Sequence, residues 1–146
     1  MQSHGVDQSV YWRQCMITAL ETHKKLIFDC LDAWNTADAE KTASFYSDDL
    51  DYRDPNTPDG IHGKESFVRY LRVLFRRWPE QKWTPDLLMP HEQAGAFSAS
   101  YTFSFGNKKM TVHGRGIDRI EFTGGLISLN WVYLNADSWP LLLRGG

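Results

Sequence analysis

Two aspartates stand where a carboxyl group can do chemistry. Asp118 lies in the run Val112-His113-Gly114-Arg115-Gly116-Ile117-Asp118-Arg119-Ile120-Glu121-Phe122. Read as a strand, the run alternates between two faces. Val112, Gly114, Gly116, Asp118, Ile120 and Phe122 share one; His113, Arg115, Ile117, Arg119 and Glu121 share the other. Asp118 is the lone carboxylate on the apolar face, and two glycines beside it leave space above the sheet. A carboxyl in an apolar hollow is hydrogen-bonded, protonated or costly, which makes it a candidate acid or base. The plainer alternative is a strand-end aspartate that reaches solvent. Asp54 closes a short strand, Asp51-Tyr52-Arg53-Asp54, because Pro55 cannot continue a ladder. It is a second candidate carboxyl, or a cap of the turn that follows. Two carboxyls in unequal surroundings can divide acid and base roles.

The elements that must position these groups follow from periodicity. From Thr18, Leu20, His23, Ile27, Cys30, Leu31 and Trp34 recur at helical spacing. Asn35-Thr36-Ala37-Asp38 breaks that helix and caps a short one, about 39–46, whose apolar face is Ala39, Ala43 and Tyr46. A third helix, 64–78, buries Phe67, Leu71, Leu74, Phe75 and Trp78 and stops at Pro79. Strands are predicted at 83–89, interrupted by Pro85, at 96–105, at 109–122 and at 126–135. Gly106-Asn107 and Thr123-Gly124-Gly125 supply turns. On the last strand Ile127, Leu129, Trp131 and Tyr133 oppose Leu126, Ser128, Asn130, Val132 and Leu134. Residues 1–17 read as an N-terminal extension, 18–135 as one domain, and 136–146 as a tail with Trp139 and three leucines. Helices followed by a long meander predict an α+β fold. The curved antiparallel sheet would wrap the helices as a cone-shaped α+β barrel around a hydrophobic pocket.

Composition narrows the partners. The net charge of −2 gives no reason to expect nucleic acid or an anionic membrane. The cluster Arg69, Arg72, Arg76 and Arg77 reads as a solvated helix face. Six tryptophans suggest a large apolar cavity or an aromatic interface. Cys15 and Cys30 have no metal-ligand spacing and read as reduced thiols of a cytoplasmic protein. No metal or organic cofactor is expected, no apolar run reaches membrane-spanning length, and the polar start is not a secretory signal.

The order of several short motifs adds a family. Ala33-Trp34-Asn35-Thr36-Ala37-Asp38 follows the first helix, and Phe45-Tyr46-Ser47-Asp48-Asp49 the second. Tyr52-Arg53-Asp54-Pro55 precedes Ile61-His62-Gly63-Lys64-Glu65. Gly116-Ile117-Asp118-Arg119-Ile120-Glu121-Phe122 and Leu126-Ile127-Ser128-Leu129-Asn130-Trp131-Val132-Tyr133 close the domain. This pattern resembles the nuclear transport factor 2-like superfamily, and within it SnoaL-like polyketide cyclases and ketosteroid isomerases. The resemblance implies that Asp54 matches the isomerase general base and Asp118 its protonated partner, or the cyclase acid/base. The protonated partner is a known case of a neutral carboxylic acid acting as donor. It further implies a pocket lined by Asn130, Tyr52, Trp34, Tyr101, Cys30, Leu71 and Phe97. A homodimer would form through the outer sheet face, at Trp131, Tyr133, Leu129 and Ile127.

Departures from the family pattern shape the expected activity. Cys30 stands where isomerases carry an oxyanion tyrosine, and Leu71 where they carry a supporting one, with Tyr70 adjacent. Val132, Ser98 and Ser100 occupy the positions where limonene epoxide hydrolases need charged groups. The paired histidines of scytalone dehydratases have no counterpart, since His113 points away from Asp118 and His91 sits in a hairpin. The expected activity is cofactor-independent proton transfer beside a carbonyl of a hydrophobic, polyketide- or steroid-like compound: isomerisation, aldol-type cyclisation or dehydration. The alternative is a non-catalytic small-molecule-binding or dimerisation module of the same fold.

Overall fold

The computed structural model describes residues 7–135, so the tail carrying Trp139 and its leucines lies outside the described residues. In chain order the elements are α1 (Gln8–Asn35), α2 (Ala39–Ala43), β1 (Tyr46–Arg53), β2 (Ile61–His62) and α3 (Lys64–Arg77). Then come β3 (Glu80–Pro90), β4 (Ala96–Gly106), β5 (Thr111–Thr123) and β6 (Leu126–Leu134). The sheet order is β2-β1-β6-β5-β4-β3, with β1 and β6 parallel and the other neighbours antiparallel. The fold is the expected α+β type, but the curved sheet does not close, because β2 and β3 remain its edges.

Local chemistry explains where the elements start. Asp7 caps α1 by accepting the Ser9 N–H at 3.0 Å, so the helix begins at Gln8 rather than Thr18. The early turns leave Val10, Trp12 and Met16 exposed. With no buried stripe there, periodicity could not reveal them. Asp38 caps α2 through the Lys41 N–H at 2.9 Å. That helix ends at Ala43, so Tyr46 opens β1 instead of completing a helical face. Gly63, at φ 90°, occupies a backbone region costly for other residues, and it turns β2 into α3.

The core lies between the helices and one sheet face. Phe67 of α3 has 0% exposure and touches the rings of Trp34, Tyr46 and Tyr52; burying it is worth about 1.5–3 kcal/mol. Trp83 of β3 lies against Trp34, Tyr101, Phe103 and Phe105.

One irregularity corrects the expected outer face. Glu121 pairs with Leu129 and Phe122 with Ile127, which leaves Ser128 as an extra residue on β6. Such a bulge shifts the alternation by one. Ile127 therefore turns inward, 2% exposed, and is not part of the outer patch. On the outer face Trp131 is half-buried between the Arg53 and Arg119 guanidiniums, 4.6 and 5.0 Å from its ring centre. Tyr133 and Ile117, paired across β6 and β5, stay exposed.

Candidate active site

The space between helices and sheet is divided in two. The inner cavity, about 30 Å³, is lined by α1 (Ile27, Cys30, Leu31, Trp34), by Tyr46 and Tyr52 of β1, and by Asp118, Ile120, Ile127 and Asn130. That volume suits a single water-sized group. The outer compartment, about 290 Å³, holds Asp54, Tyr70, Leu74, Trp78, Phe105 and Leu134. Trp34, Tyr52, Trp83 and Val132 line both, so the two spaces adjoin along these side chains. The two carboxyls thus line different, adjoining compartments.

Asp118 is held by β4 and β6. Its Oδ1 accepts from the Tyr101 hydroxyl at 2.6 Å and its Oδ2 from Asn130 Nδ2 at 2.9 Å. Tyr101 pairs across the ladder with Gly116, one step along the same face from Asp118. A Cβ at Gly116 would lie 2.8 Å from the Tyr101 hydroxyl, from Leu134 and from the Tyr133 carbonyl. The space beside Asp118 is therefore filled by the phenol that binds it, and glycine is what lets Tyr101 reach across. Burial pushes the Asp118 carboxyl up to about 7; the hydrogen bonds from Tyr101 and Asn130 oppose that rise and the Asp54 charge adds to it. At neutral pH the group is poised between acid and base.

Beyond Asn130 a second layer follows. Asn130 Oδ1 accepts from the Tyr46 hydroxyl at 3.0 Å, and the Tyr46 oxygen accepts from Trp34 Nε1 at 3.0 Å and Cys30 Sγ at 3.5 Å. Burial pushes the Cys30 thiol up to about 12, so it is an apolar lining group and not a nucleophile. Burial also raises Tyr46, Tyr52, Tyr70 and Tyr101 above the usual phenol range, so all four remain protonated donors.

Asp54 is bound differently. Its Oδ1 accepts from the Asn56 N–H at 2.8 Å and the Thr57 hydroxyl at 3.0 Å. Its Oδ2 accepts from Tyr52 at 3.0 Å and Tyr70 at 2.5 Å. Four donors occupy essentially all the acceptor capacity of one carboxylate. The Oδ1 half is the turn cap anticipated after Pro55, and the partners of both oxygens line the outer compartment.

Not every expected lining residue is there. Leu71, 0% exposed, packs in the core and lines neither cavity. Phe97 packs on His23 and Phe122, also away from both. Tyr101 contributes its hydroxyl to Asp118 without lining either compartment. Tyr46 is the residue that sequence reasoning missed. Taken as a helix-face residue, it instead places a buried phenol beside Cys30, close to where the oxyanion tyrosine was lacking.

The sequence profile of the SnoaL-like domain matches residues 28–130. The chain belongs to the SnoaL-like domain family, within the nuclear transport factor 2-like superfamily. This SnoaL-like domain is similar in structure to an LEH-like epoxide hydrolase of M. tuberculosis, with TM-score 0.70 and 20% identity over 86% of this chain and 92% of that one. A phenazine biosynthesis-related protein of Pseudomonas aeruginosa aligns at TM-score 0.67 and 14% identity, over 87% and 90% of the two chains. A computationally designed 17-OHP binder aligns at 0.70 and 17%, over 80% and 95%. At these identities the likeness carries the fold, not the activity. A comparison with the curated proteins finds no match.

Proposed function

We propose that this SnoaL-like domain moves a proton on a hydrophobic carbonyl compound, polyketide- or steroid-like, with Asp118 as acid/base. The supporting observation is Asp118 itself: a carboxyl on an apolar cavity wall, held by two donors and poised near neutrality. As carboxylate it takes a proton from the carbon next to the carbonyl, and the electron pair left behind moves onto the carbonyl oxygen. The Tyr52 and Tyr70 hydroxyls, resting on Asp54, are donors for which that oxygen can compete. Returning the proton to another carbon isomerises the compound. Attack of the enolate on a second carbonyl closes a ring, and loss of a neighbouring hydroxyl as water dehydrates it. Oxidation state is conserved within the ligand in each case. The outer compartment is the entry, and a shift of the Trp34, Tyr52, Trp83 and Val132 side chains common to both spaces brings the ligand to Asp118.

The test needs no named substrate. Hydrophobic carbonyl compounds are first screened for binding by tryptophan fluorescence. Bound compounds are then followed by NMR in deuterated water for exchange of the hydrogen next to the carbonyl. Exchange that the protein accelerates supports the reading. Tight binding with exchange no faster than in buffer favours the alternative, a small-molecule-binding module, for which the small inner cavity speaks.

The same reading includes a homodimer through the outer sheet face, now centred on Tyr133, Ile117 and Leu129. Trp131→Glu is a poor probe, because Arg53 and Arg119 would neutralise the new charge. Tyr133→Ala removes the exposed ring without adding a charge and should raise the dimer dissociation constant about tenfold or more in sedimentation. A parent protein that sediments as a monomer at micromolar concentration contradicts the dimer.

A further inference from the structure

Between Trp34 and Asp118 the hydrogen bonds run in one direction, and that direction follows from chemistry. Indole Nε1–H is a donor only, so the Tyr46 oxygen must accept it. The Cys30 thiol occupies a second acceptor position on that oxygen. With the thiol as donor, the one proton of the Tyr46 hydroxyl is aimed at Asn130, and the amide carbonyl is the end that faces it. The amide NH₂ is thereby turned to Asp118. Asp118 Oδ2 always meets a donor, whatever the state of the acid. The partner of Oδ1 is different: the Tyr101 hydroxyl can donate to a carboxylate or accept from a carboxylic acid.

We infer that Tyr46, anchored by Trp34, is a positioning residue that locks the Asn130 amide with its NH₂ toward Asp118, and so directs the transferred proton to Oδ1 on the Tyr101 side. Tyr46 touches neither the carboxyl nor the outer compartment; it acts through Asn130. The inference deepens the proposed function, but it has a readout that stands without a substrate. The titratable groups around Asp118 are Tyr101 on β4, Cys30 on α1, Tyr46 and Tyr52 on β1, and Asp54 just past β1. The phenols and the thiol stay neutral through the range in which Asp118 titrates, and Asp54 is the charge that acts on it.

The consequence is a titration that depends on Tyr46. With Phe at position 46, Asn130 loses the donor on its carbonyl and can turn. Its carbonyl then accepts from protonated Asp118, which stabilises the neutral acid. The midpoint of Asp118, read from its carboxyl ¹³C resonance, should rise by about one pH unit in Tyr46→Phe. Asn130→Leu removes the donor altogether and should also raise it. In the double variant, Tyr46→Phe should add no shift beyond that of Asn130→Leu, since its route is gone. An unchanged midpoint in Tyr46→Phe overturns the inference. So does an equal shift with and without Asn130, which would mean that the phenol acts through solvation and not through the amide. If Tyr46→Phe does not fold, the parent protein carries the test: the Asn130 side-chain ¹⁵N resonance should titrate with the Asp118 midpoint, and one that stays constant through it overturns the inference. Failure of carbonyl exchange in the parent protein would remove the catalytic reading yet leave this coupling measurable.

Discussion

Asp118→Ala should slow exchange of the hydrogen next to the substrate carbonyl by about 10²–10⁴, the usual contribution of one positioned acid or base. Asp118→Asn should be equally slow. An amide can stand in for a carboxylic acid that only donates a hydrogen bond, but it has no lone pair basic enough to take a carbon-bound proton. The resting geometry suits a base, because the Asn130 NH₂ and the Tyr101 hydroxyl can both donate to the carboxylate form. Near-parental exchange in Asp118→Asn would reassign the residue as a neutral donor. The same substitution carries a stability signature. The Asp118 pKa is raised in the folded chain, from 3.8 to about 7, so the folded state holds the proton more tightly than the unfolded one. The parent should therefore lose stability relative to Asp118→Asn as pH rises from about 4 to 7. The difference between the two should be flat below and above that window.

Asp54→Ala is expected to act mainly on stability. It strips the partner from two phenols, one backbone N–H and one hydroxyl around a residue only 7% exposed. Unpaired polar groups of this kind cost about 1–3 kcal/mol each when buried. With water from the outer compartment satisfying some of them, a net loss of about 2–3 kcal/mol follows, or a fall in Tm of roughly 10 °C. The Asp118 midpoint should also move down, because the Asp54 charge helps to hold it up. A variant that melts with the parent, yet has lost exchange as fully as Asp118→Ala, would make Asp54 the base after all.

Much of this arrangement was legible in the residues. The α3 stripe and the alternation of β4 and β5 were visible because each element buries one clean face. Asp118 stood out for breaking the apolar pattern. What escaped has a common cause, that tertiary packing overrides local periodicity. The first turns of α1 bury nothing and left no stripe. The bulge at Ser128 reverses the alternation that placed Ile127 outside. Tyr46 sits at a helix-to-strand junction, where neither period applies. Its partners Trp34 and Asn130 are 12 and 84 residues away in the chain. The empty space inferred beside Asp118 proved to be the route by which Tyr101 reaches it.

Asp118 is a carboxyl poised near neutrality in the lining of a largely apolar cavity. The most direct measurement is its own titration, by carboxyl ¹³C NMR of the parent protein, with Asp118→Asn identifying the resonance. The expected midpoint is about 7. A midpoint in the ordinary aspartate range, near ~4, would contradict it.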